Sequence, residues 1–322
     1  MSKPEITTRL ATEQDLEEML QLFAKAMRGN EAYPYHLFWI WKHQQNPFGA
    51  SPVLLAVHEN KIVGIRAFMH WQLLHKGETL RAFRAVDTVT DPAHQGKGIF
   101  THLTLELIEQ LKTTVPESFI FNTPNKKSMP GYLKMGWQIL GRAPVYIRPV
   151  LFPQKFQKER WEAYRLQLIN FHTLHGSENA DRTSFIHVPK SADYFNWRYA
   201  AYPLPDYALD VLKNGSNELY FFFKIKKHRY FNELRICDVW SQEEKDWRLI
   251  TGHAAHLANV NGCRFASIMP EPGNKLKMLL NGYISIRNMA NIITIRNINS
   301  KRFDQTALFE NWSFSMGDLE LF

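Results

Sequence analysis

The stretch Asp91-Pro-Ala-His-Gln-Gly-Lys-Gly-Ile-Phe100 places two glycines directly before an apolar segment with helical spacing. The positions that keep this spacing are Ile99, Phe100, Leu103, Leu107, Ile108 and Leu111. Before the stretch, Glu78–Thr90 reads as a β-strand. Glycines between a strand and a helix allow backbone N–H groups to converge, and the helix dipole attracts an anion. The stretch therefore predicts either a phosphate-binding loop or a tight turn.

Two common nucleotide-binding loops do not fit this stretch. A dinucleotide fingerprint needs a third glycine three residues after Gly98, where Thr101 stands. A Walker-type loop needs Gly-Lys followed by Ser or Thr, whereas Lys97 is followed by Gly98. The identity of a ligand must therefore come from other motifs.

The rest of the first half predicts a mixed α/β (α+β) domain whose sheet is mostly antiparallel. A helix is predicted over 12–28, with Thr12 and Asp15 suited to a capping box and Gly29 to its exit. A second helix covers 36–44. The remaining predicted elements are strands at 53–59, 61–75 and 78–90, the helix after the glycines, a strand at 117–123, a short helix at 125–136 and strand character over 137–150.

The second half repeats features of the first in the same order. Trp41-Lys42-His43 recurs as Trp197-Arg198-Tyr199, Arg84-Ala85-Val86-Asp87 as Arg235-Ile236-Cys237-Asp238, and Gly136-Trp137 as Gly282-Tyr283. The repeat predicts two tandem domains, 1–150 and 151–322. Where the first copy has its glycine loop, the second reads SQEEKDWRLITGH at 241–253. We therefore expect only the first copy to bind the ligand.

The composition narrows the class of protein. The chain has 322 residues, 45% of them hydrophobic, and a formal net charge of +8. It has no apolar run long enough to cross a membrane and only two cysteines, so we expect a soluble cytoplasmic protein without a disulfide framework. The basic clusters 155–160 and 224–229 lack the pattern of a nucleic-acid module. The pairs His172/His175 and His253/His256 have no third ligand nearby in sequence, so no metal site is predicted.

Two motifs together resemble the GCN5-related N-acetyltransferases (GNAT). The family loop is Gln/Arg-x-x-Gly-x-Gly/Ala, and this chain has Gln95-Gly96-Lys97-Gly98-Ile99-Phe100. The second family motif is Asn-x-x-Ala-x-x-Phe-Tyr-x-Lys-x-Gly-Phe, and this chain has Asn125-x-x-Ser128-x-x-Gly131-Tyr132-x-Lys134-x-Gly136-Trp137. Two departures stand out: Phe100 occupies a small position, and Gly131 removes an apolar contact. The resemblance covers about residues 5–150.

The resemblance implies direct transfer of an acetyl group from acetyl-CoA to a primary amine of a small molecule, such as an amino sugar or an amino acid. It implies that the backbone of Gln95, Gly96, Lys97, Gly98 and Ile99 holds the pyrophosphate, that Val89 and Thr90 pair with the pantetheine arm, and that Asn125 and Ser128 help to hold that arm. The Val89 N–H would face the thioester oxygen. Lys97 and Lys126 are candidates to add positive charge.

The resemblance also gives Tyr132 the role of general acid toward the departing thiolate. Asp87 lies two residues before Val89 in a predicted strand, on the same face, and is the candidate general base. A structural ion pair of Asp87 with Arg84 or Arg81 is the alternative, and the echo of Asp87 at Asp238 favours it. His94 is a rival base.

The acceptor site is less defined by sequence. The aromatic stretch 33–41 suits either stacking on a ligand or packing in the core, and the tail 312–322 carries Asp318 and Glu320, whose carboxylates suit a cationic amine. Two other functions stay open at this point. One is an aminoacyl transferase of the peptidoglycan type, which the glycine loop disfavours. The other is a non-catalytic acyl-CoA-binding module. The oligomeric state is not predicted.

Overall fold

A computed structural model describes residues 5–26, 34–170, 184–286 and 291–319. These residues form two compact units. The first comprises residues 1–72, 79–140 and 293–307, and the second comprises 73–78, 141–292 and 308–322. Each unit contains one mixed sheet flanked by helices, as the sequence predicted.

The sheet of the first unit has seven strands in the order β1-β2-β3-β4-β5-β13-β6. The strands are β1 (Thr7–Leu10), β2 (Val53–His58), β3 (Lys61–His75), β4 (Glu78–Thr90), β5 (Ser118–Asn122), β6 (Gln138–Arg142) and β13 (Ile292–Asn297). The helices are α1 (Leu16–Ala26), α2 (Tyr35–Trp39), α3 (Ile99–Thr114), α4 (Met129–Lys134) and α9 (Phe303–Thr306). The β4–β5 pair is parallel and the β1–β2, β2–β3 and β5–β13 pairs are antiparallel.

The sheet of the second unit has six strands in the order β12-β7-β11-β10-β9-β8. The strands are β7 (Tyr146–Pro149), β8 (Tyr207–Asn214), β9 (Asn217–Lys227), β10 (Asn232–Trp240), β11 (Phe265–Ile268) and β12 (Ile284–Ser285). The helices are α5 (Lys158–Ile169), α6 (Ala192–Phe195), α7 (Trp247–Val260), α8 (Lys275–Leu280) and α10 (Met316–Leu319). Again one pair, β10–β11, is parallel, which matches β4–β5.

Strand alternation sends the apolar residues of the first sheet to two helical layers. On one face, Leu54, Val63 and Phe83 pack with Leu103 and Leu107 of α3. The opposite face packs against α1 and α2 through a second cluster, which includes Leu55, Ile65, Val89, Met19 and Trp39. Helix α1 starts after the turn at Thr12, whose N–H donates to the Asp15 carboxylate over 2.7 Å. The residues of β4 therefore reach both layers.

Both units contain the same unusual helical turn. In the first unit α2 continues into a π-helical turn, Ile40–Gln44, and in the second α6 continues into a π-helical turn, Asn196–Ala200. Trp41 and Trp197 are buried at matching places in these turns. The aromatic stretch around Trp41 is thus largely core, although Tyr33 lies outside the described residues.

The compact units differ from the predicted division at 1–150 and 151–322 in two strands. β7 belongs to the second sheet, where it pairs with β11, and β13 belongs to the first, where it pairs with β5. Strand partners far apart in sequence are chosen by pairing and packing, which local patterns do not report. The sequence also missed β1, but its predicted β2, β3 and β4 agree with the structure within one residue. In the described ranges we find no helix long and apolar enough to span a membrane.

Candidate active site

The loop between β4 and α3 opens the start of a long helix to solvent. Gly96 and Gly98 have φ of 76° and 79°, which few residues other than glycine adopt. Gly98 caps α3 without a side chain, and the first intrahelical bond runs from His102 N–H to Gly98 O over 2.9 Å. The helix therefore leaves the amides of its first three residues unused. A Cβ at Gly96 or Gly98 would meet nothing within 4 Å, so both sides of the turn are open.

In the second unit, the N-terminus of the corresponding helix, α7, is capped by an aspartate side chain. Asp246 caps α7, and its carboxylate accepts from the N–H groups of Arg248 and Leu249 over 2.8 and 3.4 Å. An aspartate at this position already supplies the negative charge that the helix dipole favours. The two helix starts therefore differ: the first amides of α3 have no side-chain cap, whereas Asp246 caps those of α7. That only the first copy binds the ligand stays a prediction.

Strand β4 extends beyond its pairing with β5 before it reaches this loop. Its pairing with β5 runs from Arg81 and Ser118 to Arg84 and Phe121, and β4 then continues to Thr90. Val89 is buried and Thr90 is half-buried in this last part. Among the described residues, the edge of β4 that faces away from β3 therefore has no partner strand after Arg84, which leaves its backbone donors and acceptors unpaired by the sheet.

Asp87 lies at an irregular point of β4 and is held by two basic residues. Its φ is 41°, an uncommon value for a residue with a side chain. Its carboxylate accepts from Lys42 Nζ over 2.8 Å and contacts His43 Nε2 over 2.7 Å. The partners are thus Lys42 and His43, in place of the expected Arg84 or Arg81. The opposite ring nitrogen of His43 lies 2.8 Å from Ser51 Oγ.

The charges around Asp87 set its protonation. Burial by itself raises the pKa of Asp87, but Lys42 and the His43 bond outweigh it and hold the pKa well below its ordinary value. Burial lowers the pKa of His43, although its bond to Asp87 opposes this. At neutral pH the pair is therefore a carboxylate beside a neutral imidazole, with Lys42 as the compensating cation.

Tyr132 lies on the opposite face of the sheet. It is only 3% exposed, and its hydroxyl accepts a hydrogen bond from Arg66 Nη1 over 3.0 Å. The rings of Phe100 and Trp137 pack against it edge-on, at centroid distances of 5.6 and 5.0 Å. Tyr132 thus joins the start of α3, through Phe100, to the buried strand β3.

Asn125 and Ser128 shape the turn before α4. Asn125 Oδ1 accepts from the N–H groups of Lys127 and Ser128, each over 2.9 Å, and from Ser128 Oγ over 3.2 Å. This turn sets the direction from which α4 presents Tyr132. Lys97 and Lys126 are both exposed.

Comparison with known proteins identifies the family of this part of the chain. The family model described as an acetyltransferase (GNAT) domain matches residues 7–140. These residues are a GNAT acetyltransferase domain. The protein is accordingly an acyltransferase. A search of the curated proteins finds no match.

Solved structures share the fold over nearly the whole chain. A GCN5-related N-acetyltransferase from Anabaena variabilis has a TM-score of 0.62 at 13% identity, covering 92% of this chain and 73% of that one. Eis1 from Mycobacterium abscessus has a TM-score of 0.58 at 13% identity, with coverages of 94% and 76%. A GCN5-related N-acetyltransferase from Kribbella flavida has 0.53 at 13%, with 90% and 71%. At these identities the likeness concerns the fold.

The two departures of the GNAT motifs contact each other. A Cβ built on Gly131 would lie 3.2 Å from Cε1 of Phe100. The large side chain at 100 therefore stands against the position where the family pattern has a phenylalanine and this chain has glycine. We infer that the Phe100 ring, from α3, fills the space that a phenylalanine at position 131, on α4, would fill in the family pattern.

Several other predicted residues lie elsewhere. His94 packs against the ring of His58 at 5.0 Å, near Asp91. His253 is bonded to Asp210 over 2.6 Å, and the described residues contain no group of three or more His, Cys, Asp or Glu arranged for a metal. His172, His175 and Glu320 lie outside the described residues. Asp318 is buried and contacts the Lys190 ammonium, so its carboxylate already holds an internal amine.

Sequence analysis missed the roles of four residues of the GNAT domain: Lys42, His43, Ser51 and Arg66. Lys42 and His43 were noted only because they recur in the second copy. Arg66 stood in the predicted strand β3, on the side of Gly64 and Phe68. A charged residue on the buried face of an alternating strand was a signal available from the sequence.

We expect Asp87→Asn to destabilise the protein by about 1–3 kcal/mol at pH 7, because the charged bonds to Lys42 are lost. The folded pKa of Asp87 is lowered, so its contribution is complete above the pKa of an unfolded aspartate, about 3.9, and is lost as the pH falls through the folded value. Urea denaturation should show a constant difference between pH 7 and about pH 5, and a shrinking difference as the pH is lowered below about 4 toward the folded pKa. Glu109→Gln, in an exposed pair with Lys112, is the control and should change stability by less than about 0.5 kcal/mol. A difference for Asp87→Asn that does not depend on pH would contradict the ion pair.

We expect Phe100→Ala and Gly131→Phe each to destabilise the protein, the first by leaving a gap and the second by crowding, each by about 1–3 kcal/mol. The double variant should recover more than half of the summed loss, because the ring returns to the same space from α4. Thermal unfolding of the four proteins measures this coupling. Additive losses would show that the two positions do not share one site.

Proposed function

We propose that the protein transfers an acetyl group from acetyl-CoA to a primary amine of a small molecule by direct attack of the amine on the thioester. The observation that carries the proposal is the open start of α3, with its glycine cap and unused amides, set against the start of α7, which Asp246 closes. The first copy has kept an anion site that the second has filled with its own carboxylate.

The residues present suit a CoA thioester. In this proposal the amides at 95–99 hold the pyrophosphate, since glycine at 96 and 98 leaves room for a phosphate against the backbone. The exposed edge of β4 at Val89 and Thr90 pairs with the amides of the pantetheine arm, as an added strand would. Asn125 and Ser128 fix the turn on the other side of that arm. Lys97 adds an exposed positive charge near the phosphates.

Acetyl-CoA supplies the activated acyl group, and the side chains manage the protons. As the C–N bond forms, the attacking nitrogen becomes positively charged and more acidic. The Asp87 carboxylate, ionised at neutral pH, takes its proton through water. The Val89 N–H stabilises the oxyanion. When the C–S bond breaks, the Tyr132 hydroxyl gives its proton to the thiolate.

The acceptor is proposed as an amino sugar, an amino acid or a similar small amine. A panel of such amines, followed by the release of free CoA thiol, tests the class directly. Turnover with none of these amines would overturn the proposed function.

We expect Gly98→Glu to abolish acetyl-CoA binding, because its carboxylate would repel the phosphates at the start of α3. The left-handed φ of Gly98 adds strain, so Gly77→Glu is the matched control: Gly77 has φ 78° and also has nothing within 4 Å of a built Cβ. Calorimetric titration with acetyl-CoA should show one site in the native protein and in Gly77→Glu. Binding that survives in Gly98→Glu would place the donor elsewhere.

We expect Tyr132→Phe to lower kcat by about 10²-fold or more, because the proton donor is removed together with the hydrogen-bond acceptor of Arg66. Acetyl-CoA binding should change by less than about threefold, because the proposed pyrophosphate and pantetheine contacts remain. The same calorimetry and a thiol-release assay measure the two effects. Native protein that binds acetyl-CoA but shows no turnover with any amine, with or without Tyr132, would instead favour an acyl-CoA-binding module.

A further inference from the structure

Arg66 is a fully buried cation beside the proposed acid. Its side chain is inaccessible to solvent, and Nη1 donates to Tyr132 Oη over 3.0 Å. Its guanidinium carbon lies 4.6 Å from the centre of the Phe68 ring and 5.6 Å from that of Phe100. The charge is thus surrounded by aromatic rings and has the Tyr132 phenol as its hydrogen-bond acceptor.

Burying Arg66 in this way lowers the stability of the fold, so its presence needs an explanation. Guanidinium stays protonated in proteins, and burying a charge without an opposite charge is strongly unfavourable. Within the described ranges, no carboxylate forms an ion pair with Arg66, and its Nε and Nη2 have no hydrogen-bond partner. Contacts with aromatic faces offset only part of this cost. A fold that only needed packing here would be better served by an apolar side chain.

The second unit shows this apolar solution. Met278 stands where Tyr132 would fall in the repeat, and it lies in one core cluster with Phe221 and Phe223 of β9. The helix-facing side of that strand thus carries phenylalanine against methionine. The charged residue and the phenol are therefore found together in the unit with the open loop, and an apolar set is found in the unit whose loop is closed.

We propose that Arg66 is a positioning residue that acts through Tyr132. Because Nη1 donates to the phenol oxygen, the phenol hydrogen must point to another acceptor, which is the sulfur of the departing CoA. When the C–S bond breaks, the proton passes from Oη to the thiolate and leaves a phenolate, which the adjacent guanidinium stabilises. Solvent then returns the proton. This inference rests on the proposed function.

A double-mutant cycle with Arg66→Met and Tyr132→Phe tests the proposal. Arg66→Met replaces the cation with an apolar side chain of similar length. We expect its kcat to fall at least tenfold while the KM for acetyl-CoA changes by less than about twofold. In the Tyr132→Phe background the same change should cost less than about twofold, because the residue through which Arg66 acts is already absent. Arg66→Lys, which keeps a positive charge, should restore part of the kcat.

Controls separate the outcomes. Circular dichroism and calorimetric titration with acetyl-CoA establish that each variant is folded and binds the donor. If Arg66→Met fails to fold, the cycle is run with Arg66→Lys. Its effect on kcat should likewise disappear in the Tyr132→Phe background. Multiplicative losses in kcat, or a change confined to KM, would overturn the positioning role while the acetyltransferase proposal stands. Native protein without thiol release on the whole amine panel would overturn both.

Discussion

The ion pair between Asp87 and Lys42 holds the irregular point of β4, just after the pairing of β4 with β5 ends. Asp87 has a left-handed φ in the middle of a strand, a conformation that costs of the order of 1 kcal/mol or more. The bonds from Lys42 and His43 offset this cost and tie the irregular turn of the strand to the π-helical turn beside it. Everything after this point depends on it: the exposed edge at Val89, the glycine loop and the start of α3. Since β5 ends at Asn122, the last residues of β4 have no partner strand on that side.

The second unit supports this reading of Asp87. Its counterpart Asp238 also lies at an irregular point of the strand, bonded to Tyr199 of the second π-helical turn and to Lys190 over 2.9 Å. The second unit keeps these bonds although Asp246 caps its helix start. The carboxylate therefore stabilises the fold independently of any role in catalysis. In the first unit the same carboxylate stands next to the proposed thioester site. Under the proposed function, the same structural carboxylate also serves as the base, so no further residue is needed.

The motifs close in sequence were predictable, and the partners far apart were not. Gln95–Ile99 and Asn125–Tyr132 could be found because their spacing is local, and the structure places them on one loop and one short helix. The partners of Asp87, Lys42 and His43, lie far from it in sequence, in the π-helical turn. The apolar pattern of a strand does not indicate such a contact. Arg66 and Tyr132 are likewise joined only by tertiary packing. The sheets to which β7 and β13 belong were not predicted for the same reason, because each of these inner strands pairs with strands far from it in sequence.

The proposed base, Asp87, and the proposed acid, Tyr132, lie on opposite faces of the first sheet. Asp87, Lys42 and His43 belong to the layer of α1 and α2, whereas Arg66 and Tyr132 belong to the layer of α3. Direct acyl transfer removes a proton from the amine and supplies one to the thiolate, so it needs a carboxylate and an acid that do not neutralise each other. The sheet keeps these two groups in separate layers. The acceptor amine should therefore enter from the side of Asp87, and the CoA arm from the side of Tyr132.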